Sequence, residues 1–256
     1  MLRALIFDVD GTLADTESTH RAAFNQAFTE VGRDWHWDEP LYTRLLEISG
    51  GKERILHYWK QQEPALTDIG DGVRDTIERI HGLKTAAYEA AVREGAVGLR
   101  PGVLQLIESA HREGLRLAIA TTTSPVNIAA LLRAAIGPDW AHYFTVIEDA
   151  STAPRKKPHP QVYEQTLRRL QLPAQDCLAL EDSANGLRAA RAAGLATLVT
   201  PNRFTAAHDF CGALQVIDDL SGTTVDDLRA WHAQPAATRA GAAPGKAGSM
   251  VAGSLS

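Results

Sequence analysis

The sequence predicts an α/β protein: a Rossmann-like parallel sheet core with an inserted α-helical cap domain. Three observations predict it. Short apolar runs without polar alternation recur at 2–7, 115–120, 143–147, 177–180 and 196–199, the pattern of strands buried on both faces. Amphipathic helical patterns lie between them from residue 99 onward. Between residues 16 and 98 the alternation stops, and only helical patterns are found.

Taken in order, the run at 2–7 is the first strand and ends in acids and a glycine. The segment that follows offers helices near 17–31, 39–48, 53–61 and 72–94. In the last of these, Ile77, Ile80, Leu83 and Ala87 share one face. About 80 residues is far more than a normal strand-to-strand crossover, so residues 16–98 are expected to form the cap. Residues 1–15 and 99–233 are expected to form the discontinuous core. Helices at 103–112, 126–135, 161–170, 184–193 and 225–232 complete it. Ser124 before Pro125 reads as a helix N-cap, and Gly194 as a helix C-terminal stop. Residues 234–256 are rich in Ala, Gly, Pro and Ser and nearly lack large apolar groups, so a disordered low-complexity tail is expected.

Composition narrows the function. The chain of 256 residues carries 26 Lys+Arg against 31 Asp+Glu, a formal charge of -5, which opposes a nucleic-acid backbone. No apolar stretch is long enough to span a bilayer, and acids arrive too early for a signal peptide. A cytoplasmic protein with neither nucleic-acid nor membrane partners is expected, its oligomeric state left open and compatible with a monomer. Cys177 and Cys211 lack the spacing of a zinc site or a disulfide framework.

In a parallel sheet, ligands bind at the carboxyl ends of the strands. Asp8 and Asp10 follow the first strand, Thr121 to Ser124 the second, Lys156 and Lys157 the third, and Glu181 and Asp182 the fourth. Carboxylates gathered together repel unless a cation joins them, so Asp8, Asp10 and Asp182 predict a Mg²⁺ site. A calcium-binding EF-hand is excluded, because the twelfth position counted from Asp8 is Thr19 instead of glutamate. The hydroxyls at 121–124 precede a helix whose N-terminal N–H groups favour an anion such as phosphate, which Lys157 would neutralise.

The motifs "DVDGT", "TTTS", "KKP" and "LEDSANGLRAARAAG", in that order, resemble those of the haloacid dehalogenase-like superfamily, phosphatase branch. The resemblance implies that Asp8 is the nucleophile and forms an aspartyl-phosphate, with Asp10 as general acid and base. It also implies that Asp8, Asp182 and the Asp10 backbone carbonyl hold the metal, that Glu181 supports it, and that Thr121 or Thr122 holds phosphate oxygens. Dehalogenases of the superfamily do not depend on the second acid, so the presence of Asp10 favours phosphoryl transfer. The sequence "EDAS" at 148–151 departs from the glycine-acid turn often found there, which bears on that loop's geometry.

Specificity is expected from the cap. Glu17 and His20 open its first helix, and Gly50, Gly51, Lys52 and Arg54 in "GGKER" offer a close backbone approach and two cations for a second phosphate. With this stretch the chain most resembles the CbbY-type members, which implies a small-molecule sugar bisphosphate substrate, specifically xylulose 1,5-bisphosphate cleaved to xylulose 5-phosphate in service of the Calvin cycle. The alternatives are a sugar phosphomutase of the β-phosphoglucomutase kind and a non-catalytic sugar-phosphate sensor.

Overall fold

A computed structural model describes residues 1–67 and 69–234. The expected tail therefore lies outside the described residues, apart from Gln234. Six strands form one parallel sheet in the order β3-β2-β1-β4-β5-β6: β1 (Ala4–Phe7), β2 (Arg116–Ala120), β3 (Phe144–Glu148), β4 (Cys177–Glu181), β5 (Ala196–Val199) and β6 (Gln215–Val216). This is the doubly wound order with its switch beside β1.

Every residue of β1 and β4 is buried, which accounts for their unbroken apolar character. Leu5 and Phe7 face one layer with Leu117, Ile119, Leu178 and Leu180, covered by α5 (Val103–Arg112), α6 (Pro125–Ala135) and α9 (Val225–His232). Ala4 and Ile6 face the other with Ala118 and Ala179, covered by α7 (Gln161–Leu170) and α8 (Ala184–Ala192). Ser124 caps α6 by accepting a hydrogen bond from the Asn127 N–H, and Thr224 closes a capping box with Asp227 on α9.

Between β1 and α5 run four helices: α1 (Glu17–Glu30), α2 (Glu39–Leu45), α3 (Gly51–Gln62) and α4 (Asp71–Arg93). They share an aromatic-rich cluster of their own, including Phe24, Phe28, Trp37, Tyr42 and Trp59. Ile77 and Ile80 enter this cluster, while Ala87 packs against the sheet's helical layer. The chain leaves and re-enters the sheet region side by side, joined by a bridge between Ala14 and Leu99.

Two differences from the sequence reading have simple causes. The first strand begins at Ala4, because pairing with both neighbours starts there. The strand β6 was not expected: it has two residues, with Gln215 partly and Val216 largely exposed, too few for a periodic signal.

Arg100 locks the loops around the sheet's carboxyl edge. Its buried guanidinium donates to the carbonyls of Gly11 at 2.6 Å, Thr200 at 2.5 Å, Pro201 at 2.8 Å and Asp218 at 3.0 Å. Replacing it strands several buried acceptors. Arg100→Met should therefore lower unfolding free energy by about 3–5 kcal/mol in urea denaturation, and Arg100→Lys, lacking the planar fork, should recover only a fraction.

Candidate active site

The loops after β1 and β4 bring three carboxylates together. Oxygens of Asp8, Glu181 and Asp182 lie within 4.8 Å of one another, and all three residues are buried. Lys157 reaches into this group, 2.6 Å from both Asp8 Oδ1 and Glu181 Oε1. The Thr12 hydroxyl donates to Asp8 Oδ2 at 3.3 Å, the Tyr163 hydroxyl donates to Glu181 Oε1, and the Asn202 amide donates to Asp182 Oδ2 at 2.8 Å.

Two glycines make the cluster sterically possible. A Cβ at Gly186 would overlap the Glu181 carboxylate, and Gly11, at φ +81°, would place one on the Asp182 carboxylate. The glycine of "DVDGT" thus serves both a left-handed turn and a close approach.

The charges do not balance. Burial raises Asp8 from its ordinary 3.8 to about 7; Lys157 pulls it down, but Glu181 and Asp10 push it up. Burial, Asp8 and Glu181 raise Asp182 well above the carboxylate range. Burial disfavours the Lys157 cation, yet Asp8 and Glu181 outweigh it and raise its pKa. One ammonium against three carboxylates leaves an uncompensated negative site made of hard oxygen donors, which fits a small divalent cation such as Mg²⁺.

Asp10 is placed differently from the other acids. Its Oδ1 accepts from the Thr16 hydroxyl at 2.8 Å and meets His20 Nε2 at 3.0 Å, so its side chain stands apart from the three-carboxylate group. Burial pushes Asp10 up, but His20, Thr16 and Lys84 together hold it below the ordinary range. Burial and the Lys84 cation depress His20, against the pull of Asp10 and Glu17, and its ring is stacked on Tyr88 at 4.1 Å.

These groups line a cavity of about 540 Å³ between the strand ends and α1, α3 and α4. All the sequence-singled residues line it except the buried Glu181: Asp8, Asp10, Glu17, His20, Gly50, Gly51, Lys52, Arg54, Thr121, Thr122, Lys157 and Asp182. Thr121 is fixed by its N–H to the Glu148 carbonyl and its hydroxyl to the Thr123 N–H.

Lys52 and Arg54 are more engaged than expected. Lys52 Nζ sits 2.5 Å from Glu78 and is half exposed. Arg54 is buried and donates to the Leu45 carbonyl at 3.1 Å, the Tyr42 hydroxyl at 3.1 Å and the Ile48 carbonyl at 3.2 Å. Two of its five N–H groups remain for a ligand. These partners place Arg54 across the last residue of α2 and the turn that follows it.

Lys84 was missed. It is buried, lines the cavity, and lies 5.1 Å and 5.3 Å from the ring centroids of Phe24 and Tyr88; burial lowers it to about 8. The available signal was positional: Lys84 occupies the same stripe of α4 as Ile77, Ile80 and Tyr88, which are buried, where a solvated lysine does not belong. Tyr42, which donates to Glu17 at 2.7 Å, and Asn202 were also missed.

A helix-lined cavity over acid-bearing ends of a parallel sheet defines a class. A family model described as haloacid dehalogenase-like hydrolase matches residues 2–194, and the chain belongs to that family of hydrolases. Within it the sequence is similar to proteins named CbbY. It is 57% identical to the plasmid CbbY protein of Cupriavidus necator over 247 residues, 90% of this chain and 97% of that one. The crystal structure of CbbY from Rhodobacter sphaeroides in complex with phosphate superposes with a TM-score of 0.82 at 43% identity, covering 90% of this chain and 100% of that one. A mutant of the same protein in complex with xylulose-(1,5)bisphosphate gives 0.82 and 43%, covering 89% and 99%. Among the described residues no helix is long and apolar enough to cross a membrane.

The raised pKa of Asp8 has a signed consequence. A carboxyl whose folded pKa exceeds its unfolded one stabilises below the unfolded value and loses that contribution as pH rises through the folded value. In chelator-treated protein, Asp8→Asn should match the wild type near pH 4 and exceed its stability by about 2–4 kcal/mol at pH 7, measured by urea denaturation. Added MgCl₂ should reverse the order at pH 7.

Proposed function

We propose that the protein is a Mg²⁺-dependent phosphatase that hydrolyses a sugar bisphosphate, xylulose 1,5-bisphosphate to xylulose 5-phosphate, through an aspartyl-phosphate on Asp8. The observation that carries the reading is the opposed charge of the cavity. Its floor holds the surplus carboxylates Asp8 and Asp182, and its helical wall presents the cations Lys52, Arg54 and Lys84 against the acids Glu17 and Glu53. Such a cavity suits a substrate with phosphates at both ends, one held over the floor and one against the wall. The bisphosphate complex of the R. sphaeroides relative supports the same substrate.

In this reading, residues 16–98 act as the cap, and Asp8, Asp182 and the Asp10 carbonyl hold Mg²⁺, with Glu181 supporting the site. Bound Mg²⁺ supplies positive charge against the phosphoryl oxygens, which lets an anionic nucleophile approach. Asp8 attacks phosphorus, and the bond from phosphorus to the sugar oxygen breaks. Asp10 gives its proton to that oxygen, then takes one from the water that attacks the aspartyl-phosphate. Inorganic phosphate leaves and the Asp8 carboxylate is restored. Lys157 keeps Asp8 oriented, and Thr121 or Thr122 donates to phosphate oxygens. The contacts to Thr16 and His20 hold Asp10 ionised, so its donor role requires it to leave them and take up a proton from solvent before the bond to the sugar oxygen breaks.

Product analysis tests the reading. Wild type with Mg²⁺ should release inorganic phosphate from xylulose 1,5-bisphosphate with kcat/KM at least about tenfold above that for xylulose 1-phosphate. Asp8→Asn should lose more than about 10³-fold in kcat, and chelation should abolish turnover. An isomeric sugar phosphate formed without inorganic phosphate would assign a mutase, and unchanged turnover in Asp8→Asn would remove Asp8 from the nucleophile role.

A further inference from the structure

The loop after β5 touches both sides of the cavity through three consecutive residues. Asn202 donates from Nδ2 to Asp182 Oδ2 at 2.8 Å, while its Oδ1 accepts from the Phe204 N–H at 2.8 Å. Its own N–H donates to the Thr205 hydroxyl at 3.0 Å, so the amide that grips Asp182 also sets the backbone that presents Phe204.

Arg203 donates to the Ser18 hydroxyl, lies 3.5 Å from Glu39, and stacks over Phe204 at 4.7 Å. It therefore holds the starts of both α1 and α2. Phe204, 5% exposed, enters the hydrophobic cluster of α1–α4 and meets Tyr42 edge-on at 6.0 Å. Among the described residues it is the single buried member of that cluster contributed from outside residues 24–80.

Tyr42 carries the contact onward. Its hydroxyl donates to Glu17 at 2.7 Å and accepts from Arg54 at 3.1 Å, two of the groups that face the sugar end of the cavity. A continuous set of contacts thus runs from Asp182 through Asn202, Phe204 and Tyr42 to Glu17 and Arg54. A second cavity of about 330 Å³, lined by Asp15, Glu17, Ser18, Arg100 and this loop, lies against it. The start of α1 is held on its other side by Thr16 and His20 on Asp10, and on this side by the loop contacts.

We propose that residues 202–204 form a clasp that fixes Glu17 and Arg54 in register with Asp8 and Asp182, and that Phe204 is a positioning residue for the sugar end of the substrate. The inference rests on the sugar-phosphatase reading for the identity of that substrate, and on contacts alone for the clasp. The role differs from plain packing in what it affects. A lost packing residue lowers the amount of folded protein and touches all substrates alike. A lost clasp misplaces groups that only a sugar phosphate reaches, and small misplacements of such groups carry large kinetic effects.

The test compares wild type, Phe204→Ala and Phe204→Leu on two substrates: p-nitrophenyl phosphate and the sugar phosphate that wild type turns over best in a panel. Phe204→Ala should raise KM for the sugar phosphate by about tenfold and leave kcat/KM for p-nitrophenyl phosphate within about twofold. Phe204→Leu, which refills the volume, should restore most of the loss. Equal loss on both substrates, or no loss on either, would overturn the clasp. A wild type that prefers another sugar phosphate corrects the substrate and leaves the comparison intact. Hydrogen exchange supplies a readout without substrate: amides at the start of α1 should exchange faster in Phe204→Ala while β4 is unchanged, and unaltered α1 exchange would count against the proposal.

Discussion

The buried ammonium of Lys157, shared at 2.6 Å between Asp8 and Glu181, is the interaction on which the site depends. Without it, Asp8, Glu181 and Asp182 would place three carboxylates in a space from which water is excluded, at a cost the fold could not carry. With it, the charge is still unequal, and the raised pKa of Asp8 and Asp182 expresses the remainder. That residual negative charge is the chemical reason the site suits a divalent cation. Asp8 is held in an ordered position, since Thr12 and Lys157 occupy both of its oxygens.

The sheet delivers these groups because its strands are parallel. β1 lies between β2 and β4 in matched register, Phe7 opposite Ile119 and Leu180, so the residues just beyond all three strands converge on one edge. The helices α1–α4 then add a wall carrying Lys52, Arg54 and Lys84, set beside Glu17 and Glu53, and the histidine that engages Asp10. Glu17, Tyr42 and Arg54 form one hydrogen-bonded group on that wall. In the proposed reading the arrangement separates the reaction's two demands, with phosphoryl transfer on the sheet and recognition of the sugar on the helices.

Much of this was legible because the chemistry lies at the ends of apolar runs. Buried parallel strands are uninterrupted in the sequence, and a carboxylate just after one is conspicuous; Asp8 and Asp182 stood out for that reason. The helices 103–112, 161–170 and 225–232 were equally plain, their apolar stripes being set by contact with the sheet. What could not be read were positions whose role comes from distant partners. Lys84 sits on an apolar stripe, but only the fold shows that Phe24 and Tyr88 flank it near Asp10. Arg54 was expected to grip a second phosphate, whereas the carbonyls of Leu45 and Ile48 claim part of its guanidinium. Phe204 stands in a loop without periodicity, and its burial depends on an aromatic cluster more than 100 residues earlier in the chain.

Titration calorimetry of Mg²⁺ into chelator-treated protein tests the central claim most directly, because it reads the charge deficit without reference to any substrate. The account predicts one Mg²⁺ per chain for the wild type and binding weakened by at least about 10-fold in Asp182→Asn. Wild-type protein that takes up no Mg²⁺, or an Asp182→Asn variant that binds it unchanged, would contradict the account.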